Sequence, residues 1–373
     1  MWHCPTLKPL FLPIRVFMRI EIDCEAIRHN TAGVVKACAA RGIEVAAVTK
    51  ACCGHPEVAR AMLAGGAGLL AESRLNSVRR LREAGIDADV LLLRLPRLSE
   101  AADVVRLTQM SLNSEGKTVR ALSRAAQAQD LTHQVILMVE TGDRREGVMA
   151  GQALDTARAM VGLPGIDLVG VGTNVACISG VLPSQENVQS LVDVAESIER
   201  ALGIRFRVIS GGNTYNLDLL DDDAVSARVN QLRIGHGILV GPPTPHKPLP
   251  FPFQTVFNVV AEVIEVQTKP SAPEGQTLVD AFGLVPRWDD LGPRQRAILA
   301  IGRQDLYVDG LRPKRPGARI VGASSDHLVV DVTEADPPVH VGDELEFDPI
   351  YAAVATAMAS VGVTQVVKPM KAR

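Results

Sequence analysis

The chain has 373 residues, with 39 lysines and arginines against 42 aspartates and glutamates, a formal net charge of −3. A nearly neutral balance argues against a nucleic-acid binder, which would carry a basic face. With 47% hydrophobic and 22% charged residues, the chain reads as folded and long enough for a barrel plus a smaller domain. No run of about 18 uncharged apolar residues occurs, so no transmembrane helix and no membrane partner are expected.

Residues 1–15 mix a short apolar run with prolines, Lys8 and Arg15, and no small-residue cleavage signal follows. They read as an arm rather than a signal peptide. Six cysteines (Cys4, Cys24, Cys38, Cys52, Cys53 and Cys177) are sparse and irregularly spaced. That pattern suits a reducing cytoplasm and free thiols, and without a CxxC pair no metal site is expected.

In chain order, eight short apolar segments are expected as strands: 43–48, 68–71, 89–94, 109–112, 135–139, 168–172, 206–209 and 231–234. Between them, alanine-rich stretches such as 57–63, 75–83, 115–127, 151–161 and 184–202 repeat apolar residues at three and four positions, the helical period. Alternation of this kind predicts a parallel sheet, and eight strands predict a closed (β/α)8 TIM-like barrel. An open doubly wound sheet is the alternative, but its GxGxxG fingerprint is missing; the segment Val169-Gly-Val-Gly-Thr173 only imitates it. A proline-dense stretch, 241–250, then separates residues 16–244 from a mostly-β C-terminal domain, 245–373. Strands are expected there at 256–267, 276–280, 297–301, 318–323, 327–332, 344–347 and 364–367, with one helix at 351–358. The segment 16–23 is expected to pair with this second domain.

Several strand ends carry chemistry. Lys50 closes the first barrel strand, where a partly desolvated amine can form a Schiff base; a snorkelling surface lysine has the same pattern. Ser210-Gly-Gly-Asn-Thr214 and Arg233-Ile-Gly-His-Gly237 follow strands seven and eight, where barrels commonly hold phosphate. Plain turns would look alike. Glu140-Thr-Gly-Asp-Arg-Arg-Glu-Gly147 is a charged loop after strand five. Gly172-Thr-Asn-Val-Ala-Cys177 follows strand six, and a packed inert cysteine is the ordinary reading there.

Taken together, Arg19-Ile-Glu-Ile-Asp-Cys-Glu-Ala-Ile-Arg-His-Asn30, Ala47-Val-Thr-Lys50, Pro56, Glu72, Arg79-Arg-Leu-Arg-Glu-Ala-Gly85 and the late glycine loops resemble the alanine racemase family of fold-type III pyridoxal-phosphate enzymes. The likeness is closest to its ornithine and broad-specificity amino-acid racemase branch and covers nearly all of the chain after residue 15. The resemblance implies pyridoxal 5'-phosphate held covalently by Lys50. It implies a phosphate site from Ser210, Gly211, Gly235, His236 and Tyr351, and an Arg233 facing the pyridine nitrogen. Two positive charges facing each other would disfavour protonation of that nitrogen. Arg145 would sit at the phenolic oxygen and the substrate, Asn174 would pack against the cofactor, and Asp326 would reach a substrate pocket. A head-to-tail homodimer is also implied.

Two departures accompany the likeness. The family's tyrosine base aligns with Asp280-Ala-Phe-Gly283, where Phe282 takes no proton, and its cofactor-packing histidine aligns with Asn174. Racemisation needs acid/base groups on both faces of a planar carbanion. Lys50 serves one face. For the other the chain offers Cys177, Asp280, His236, Asp326, His327 and Tyr307; Cys177 and Asp280 rank first because they lie beside the departures. The expected activity is interconversion of L- and D-amino acids, with an ornithine- or lysine-like substrate whose distal ammonium would meet Asp143, Asp280 or Asp326. The alternatives are a D-threonine aldolase-like lyase on the same cofactor and a non-catalytic pyridoxal-phosphate carrier.

Overall fold

The computed structural model describes residues 18–220, 225–242 and 248–371. The arm 1–15 and residues 243–247 of the proline-dense stretch lie outside the described residues. Contacts divide the chain into two units: one holds the chain up to Glu21, Asn258–Pro349 and Ser360–Val366; the other holds Ile22–Phe257, Ile350–Ala359 and the C-terminal residues from Val367.

The larger unit begins at the end of strand β1 (Met18–Asp23) and includes helix α1 (Cys24–Ala39). The first barrel strands and helices are β2 (Glu44–Val48), α2 (Pro56–Ala64), β3 (Leu69–Glu72), α3 (Leu75–Glu83), β4 (Val90–Leu92) and α4 (Ala101–Leu107). They continue as β5 (Met110–Asn113), α5 (Gly116–Ala128), β6 (His133–Met138), α6 (Ala150–Val161), β7 (Ile166–Gly172), α7 (Gln185–Leu202), β8 (Val208–Ser210), β9 (Gln231–Ile234) and the short α8 (His236–Leu239). Strands β2 to β9 form a closed parallel barrel, with β2 paired to both β3 and β9. All eight expected barrel strands are present within a few residues of their expected bounds.

Local chemistry sets the ends of these elements. Asp23 accepts the Ala26 N–H at 2.8 Å and starts α1, and Pro56 occupies the first turn of α2. A reciprocal Ser184–Asn187 capping box opens α7, and Gly203, at φ 67, closes it. The barrel interior is filled by Ala46, Val48, Leu69, Ala71, Leu91, Met110, Leu112, Ile136, Met138 and Val169. Burying one such leucine or isoleucine stabilises the fold by about 1.5–3 kcal/mol. The glycines of 169–173 serve packing rather than a dinucleotide: a Cβ on Gly170 would lie 1.9 Å from the Val208 carbonyl oxygen.

The smaller unit is an eight-stranded sheet built from β10 (Phe257–Pro270), β11 (Pro293–Leu299), β12 (Leu311–Pro313), β13 (Arg319–Ala323), β14 (Leu328–Asp331) and β15 (Glu344–Pro349), with β1 and β16 (Thr364–Lys368). Its central path runs β12-β15-β10-β11-β14-β13, and β1 pairs with β10 and β16, as expected of the segment before the first helix. Helix α9 (Tyr351–Ala357) belongs to the larger unit. One expected strand is absent. Residues 276–280 form no sheet pair because Asp280 folds the chain back, its carboxylate accepting the N–H groups of Phe282 (2.9 Å) and Leu284 (2.8 Å). Leu278 is 81% exposed.

Candidate active site

A cavity of about 450 Å³ opens at the C-terminal ends of the barrel strands. It is lined by Lys50, Arg145, Asn174, Cys177, Arg233, Gly235, His236 and Tyr351, all singled out from the sequence, together with Glu146, Asn213, Thr214 and Tyr215. Every one of them belongs to the larger unit.

Lys50 stands where β2 ends and a 3-10 turn, Lys50–Cys52, begins; α9 packs on that turn. The turn exits through left-handed residues, Cys53 at φ 50 and Gly54 at φ 62. Solvent reaches Lys50 through the cavity, but protein surrounds its amine. That burial pushes its pKa down; Arg145 and Arg233 push it further, while Cys177 and Glu72 pull it up. Its amine has no hydrogen-bond or ion-pair partner among the described residues.

Arg233, only 3% exposed, ends β9 beneath the cavity. Its guanidinium donates to the Ser210 carbonyl at 3.3 Å, to the Ser210 hydroxyl and to the Thr173 carbonyl. No carboxylate pairs with it among the described residues, and burial pushes its pKa down to about 10. Ser210 and Gly211, expected at a phosphate, do not line the cavity. Ser210 is fully buried, donates to Gln231 Oε1 at 2.9 Å and accepts from Arg233, so it orients the arginine.

In the same cavity, Cys177 Sγ accepts from Asn174 Nδ2 at 3.0 Å and lies 3.9 Å from Asn213 Nδ2. Asn213 also donates to Asn174 Oδ1 at 3.2 Å and to the Val175 carbonyl at 2.7 Å. The Arg145 guanidinium is clasped by Glu146, and Cys177 lies near enough to favour its charge. Cys177 is exposed to the cavity rather than packed and inert.

Asp143 does not face a ligand, contrary to the distal-ammonium role expected of it. It is 1% exposed, and its Oδ1 accepts the N–H groups of Cys177 (3.3 Å), Ile178 (3.3 Å) and Ser179 (3.1 Å) and the Ser179 hydroxyl (2.7 Å). It is a clamp on the loop that carries Cys177.

Asp280 and Asp326 belong to the smaller unit. The Asp280 carboxylate is engaged by its own turn, while Asp326 Oδ1 accepts from Ser324 Oγ (3.1 Å) and Ser325 Oγ (3.1 Å) and faces His327 Nδ1 at 3.0 Å. Phe282 lies under the Arg303 guanidinium, 5.6 Å from ring centre to Cζ.

The donor set fits a phosphorylated pyridine aldehyde. The cavity lining brings a free amine and a buried guanidinium together with close-approach backbone, Thr214, His236 and Tyr351. A Cβ on Gly235 would lie 2.9 Å from Val48 Cβ, and one on Gly237 2.8 Å from Thr214 Cγ2, so side chains are excluded there. Thr214 Oγ1 accepts the Gly237 N–H at 3.2 Å, and Tyr351 stands edge-on to His236 with ring centres 5.6 Å apart. Burial pushes the Tyr351 hydroxyl up to about 12, so it stays a donor at neutral pH.

Sequence reasoning missed Glu146, Asn213 and Thr214 as lining residues, and Asp143 and Gln231 as supports. The first four lie inside loops already marked by charge or glycine; Gln231 carried no signal.

Residues 22–243 match the family model described as alanine racemase, N-terminal domain. The chain is 36% identical over 355 residues to a lysine racemase of Thermotoga maritima, covering 95% of this chain and 99% of that protein. It is 33% identical over 347 residues to an ornithine racemase of Acetoanaerobium sticklandii, covering 92% and 98%. The fold matches an alanine racemase from D-cycloserine-producing Streptomyces lavendulae with a TM-score of 0.73 at 20% identity, covering 95% of this chain and 97% of the other.

Proposed function

The chain belongs to the alanine racemase family, and from that premise we propose that it is a pyridoxal-phosphate-dependent amino-acid racemase acting on basic amino acids of the lysine and ornithine type. The observation that carries the reading is the cavity that Lys50 and Cys177 share, with Arg233 beneath it. When bound, pyridoxal phosphate supplies the conjugated ring that delocalises the electron pair left at Cα.

Lys50 Nζ would hold the cofactor, and its amine would take the α-proton on one face. The depressed basicity that burial gives it keeps a neutral fraction available. Cys177 Sγ serves the other face, as donor in one direction and acceptor in the other. Asn174 and Asn213 hold the sulfur in place by donating toward it, and the Arg145 charge lies near it. Cys177 is preferred to Asp280, whose carboxylate is occupied by two amides of its own turn. Asn213, Thr214, Gly235, His236 and Tyr351 would hold the phosphate. Arg233 would place its charge at the pyridine nitrogen, which disfavours its protonation and suppresses side reactions.

Among the described lining residues the carboxylate is that of Glu146; both of its oxygens pair with Arg145, so a distal ammonium would share that carboxylate with the guanidinium. The family resemblance implies head-to-tail pairing with a second copy of the chain, and the exposed apolar run Leu278, Val279, Phe282, Leu284 and Val285 offers a surface for a second copy to cover. Sedimentation should therefore give a dimer. For the membrane, no helix among the described residues is long and apolar enough to cross it.

The testing experiment supplies pyridoxal phosphate and single enantiomers of lysine, ornithine, alanine and serine, followed by chiral chromatography. Formation of the opposite enantiomer of lysine or ornithine is expected, and none from Lys50→Ala. Aldehyde release from a β-hydroxy amino acid without inversion would replace the reading by a lyase.

A further inference from the structure

Glu72 is a fully buried carboxylate at the end of β3 that the racemase chemistry does not use. Its Oε2 accepts the Thr49 hydroxyl at 2.9 Å. Its Oε1 accepts the Ser73 N–H at 2.6 Å, the Ser73 hydroxyl at 3.3 Å and the Arg74 N–H at 3.3 Å. Thr49 is the residue before Lys50, and its own N–H donates to the Ala71 carbonyl at 2.9 Å. One carboxylate therefore ties the strand end that carries the lysine to the neighbouring strand and to the turn into α3. No cation pairs with Glu72 within the described residues. An unpaired buried carboxylate is costly, and a neutral side chain would fill the same space more cheaply. The charges and titratable groups facing it are the Lys50 ammonium, the Cys52 and Cys53 thiols and the Tyr351 hydroxyl.

We propose that Glu72 is a positioning residue for Lys50: its side chain locks the Thr49–Lys50 corner through hydrogen bonds to Thr49, Ser73 and Arg74. The assignment rests on the reading of Lys50 as the reacting amine. Lys50 is faced by Arg145 and Arg233, which disfavour its protonated form, and by Cys177 and Glu72, which favour it. Glu72 thus stabilises the ammonium that exists after Lys50 has taken a proton. Unlike the thiol of Cys177, it stands outside the cavity lining, so ligand binding does not displace it.

Glu72→Gln removes the charge and keeps the shape. The glutamine oxygen can face the Ser73 and Arg74 amides, while its NH2 donates to Thr49 Oγ1, which turns its own hydrogen to the Ala71 carbonyl 3.4 Å away. Glu72→Asp keeps the charge and shortens the reach. The test uses the full-length apoprotein. Competitive acetylation at graded pH, read by mass spectrometry on the Lys50 peptide, gives the Lys50 pKa, with thermal unfolding followed alongside. Glu72→Gln should lower that pKa, since Glu72 is among the groups that favour the protonated amine, and Glu72→Asp should leave it near the wild-type value. Equal pKa values in wild type and Glu72→Gln, or equal shifts in both variants, would overturn the proposal. Because the labelling needs no turnover, a wild-type protein that fails to racemise would sink the functional reading and leave this test intact.

Discussion

Replacing Asp143 by alanine removes the acceptor that holds the Cys177 loop. Two of its contacts are short: 2.7 Å from Ser179 Oγ and 3.1 Å from Ser179 N. Hydrogen bonds to a charged acceptor contribute about 1.5–3 kcal/mol each. The contacts at 3.3 Å from Cys177 and Ile178 lie beyond ordinary N–H···O distances and add little. Residues 177–180 are exposed, so water recovers part of the loss. Asp143→Ala should therefore cost about 2–3 kcal/mol, and Asp143→Asn about half of that, since Oδ1 carries most of the contacts. Urea unfolding measures the cost, and hydrogen exchange at the 177–179 amides localises it. Burial alone would raise the Asp143 pKa, but the Ser179 side chain and the three amides outweigh it, so the folded value lies below the unfolded one. Its contribution is then complete above the unfolded value of about 3.9 and is lost as pH falls through the folded value. The gap between wild type and Asp143→Ala should close in that acidic window. An unchanged urea midpoint with unchanged exchange at 177–179 would refute the clamp.

Arg233→Met should stay folded, within about 2 kcal/mol of wild type in urea, because an apolar side chain replaces a buried cation with no carboxylate partner; keto-acid by-product should rise, measured by coupled assay. Gly235→Ala drives a Cβ to 2.9 Å from Val48 Cβ and 3.1 Å from its carbonyl oxygen. It should cost about 1–3 kcal/mol by thermal unfolding and weaken pyridoxal-phosphate binding in equilibrium dialysis. Glu146→Gln should lower kcat/KM for lysine relative to norleucine about tenfold, the loss of roughly 1.4 kcal/mol of charge recognition; an equal change for both substrates would remove Glu146 as the distal-ammonium partner.

The barrel was legible because its signals are local. Each strand is a short apolar run, each helix repeats at the helical period, and caps such as Asp23 and Gly203 sit at the breaks. Residues 276–280 misled for the same reason. They have strand-like composition, but Asp280 spends its carboxylate on a turn, which only the hydrogen bonds reveal. In the cavity, Lys50 and Arg233 were readable from their places at strand ends. The direction of Ser210 was not, since a residue on a strand end can face inward to Arg233 or outward to a ligand. Asp143 and Glu146 share one charged loop, yet one is a structural clamp and the other lines the cavity. That division depends on a loop more than thirty residues downstream, from which Ser179 reaches Asp143.

The central claim is proton transfer between two faces by Lys50 and Cys177. The most direct test follows L-lysine in deuterium oxide with the pyridoxal-phosphate-loaded wild type and Cys177→Ala, reading deuterium at Cα in each enantiomer at early times. The account predicts that wild type forms D-lysine labelled at Cα ahead of label in recovered L-lysine. Cys177→Ala should exchange the α-hydrogen of a single enantiomer without inversion. Inversion by Cys177→Ala at the wild-type rate would contradict it.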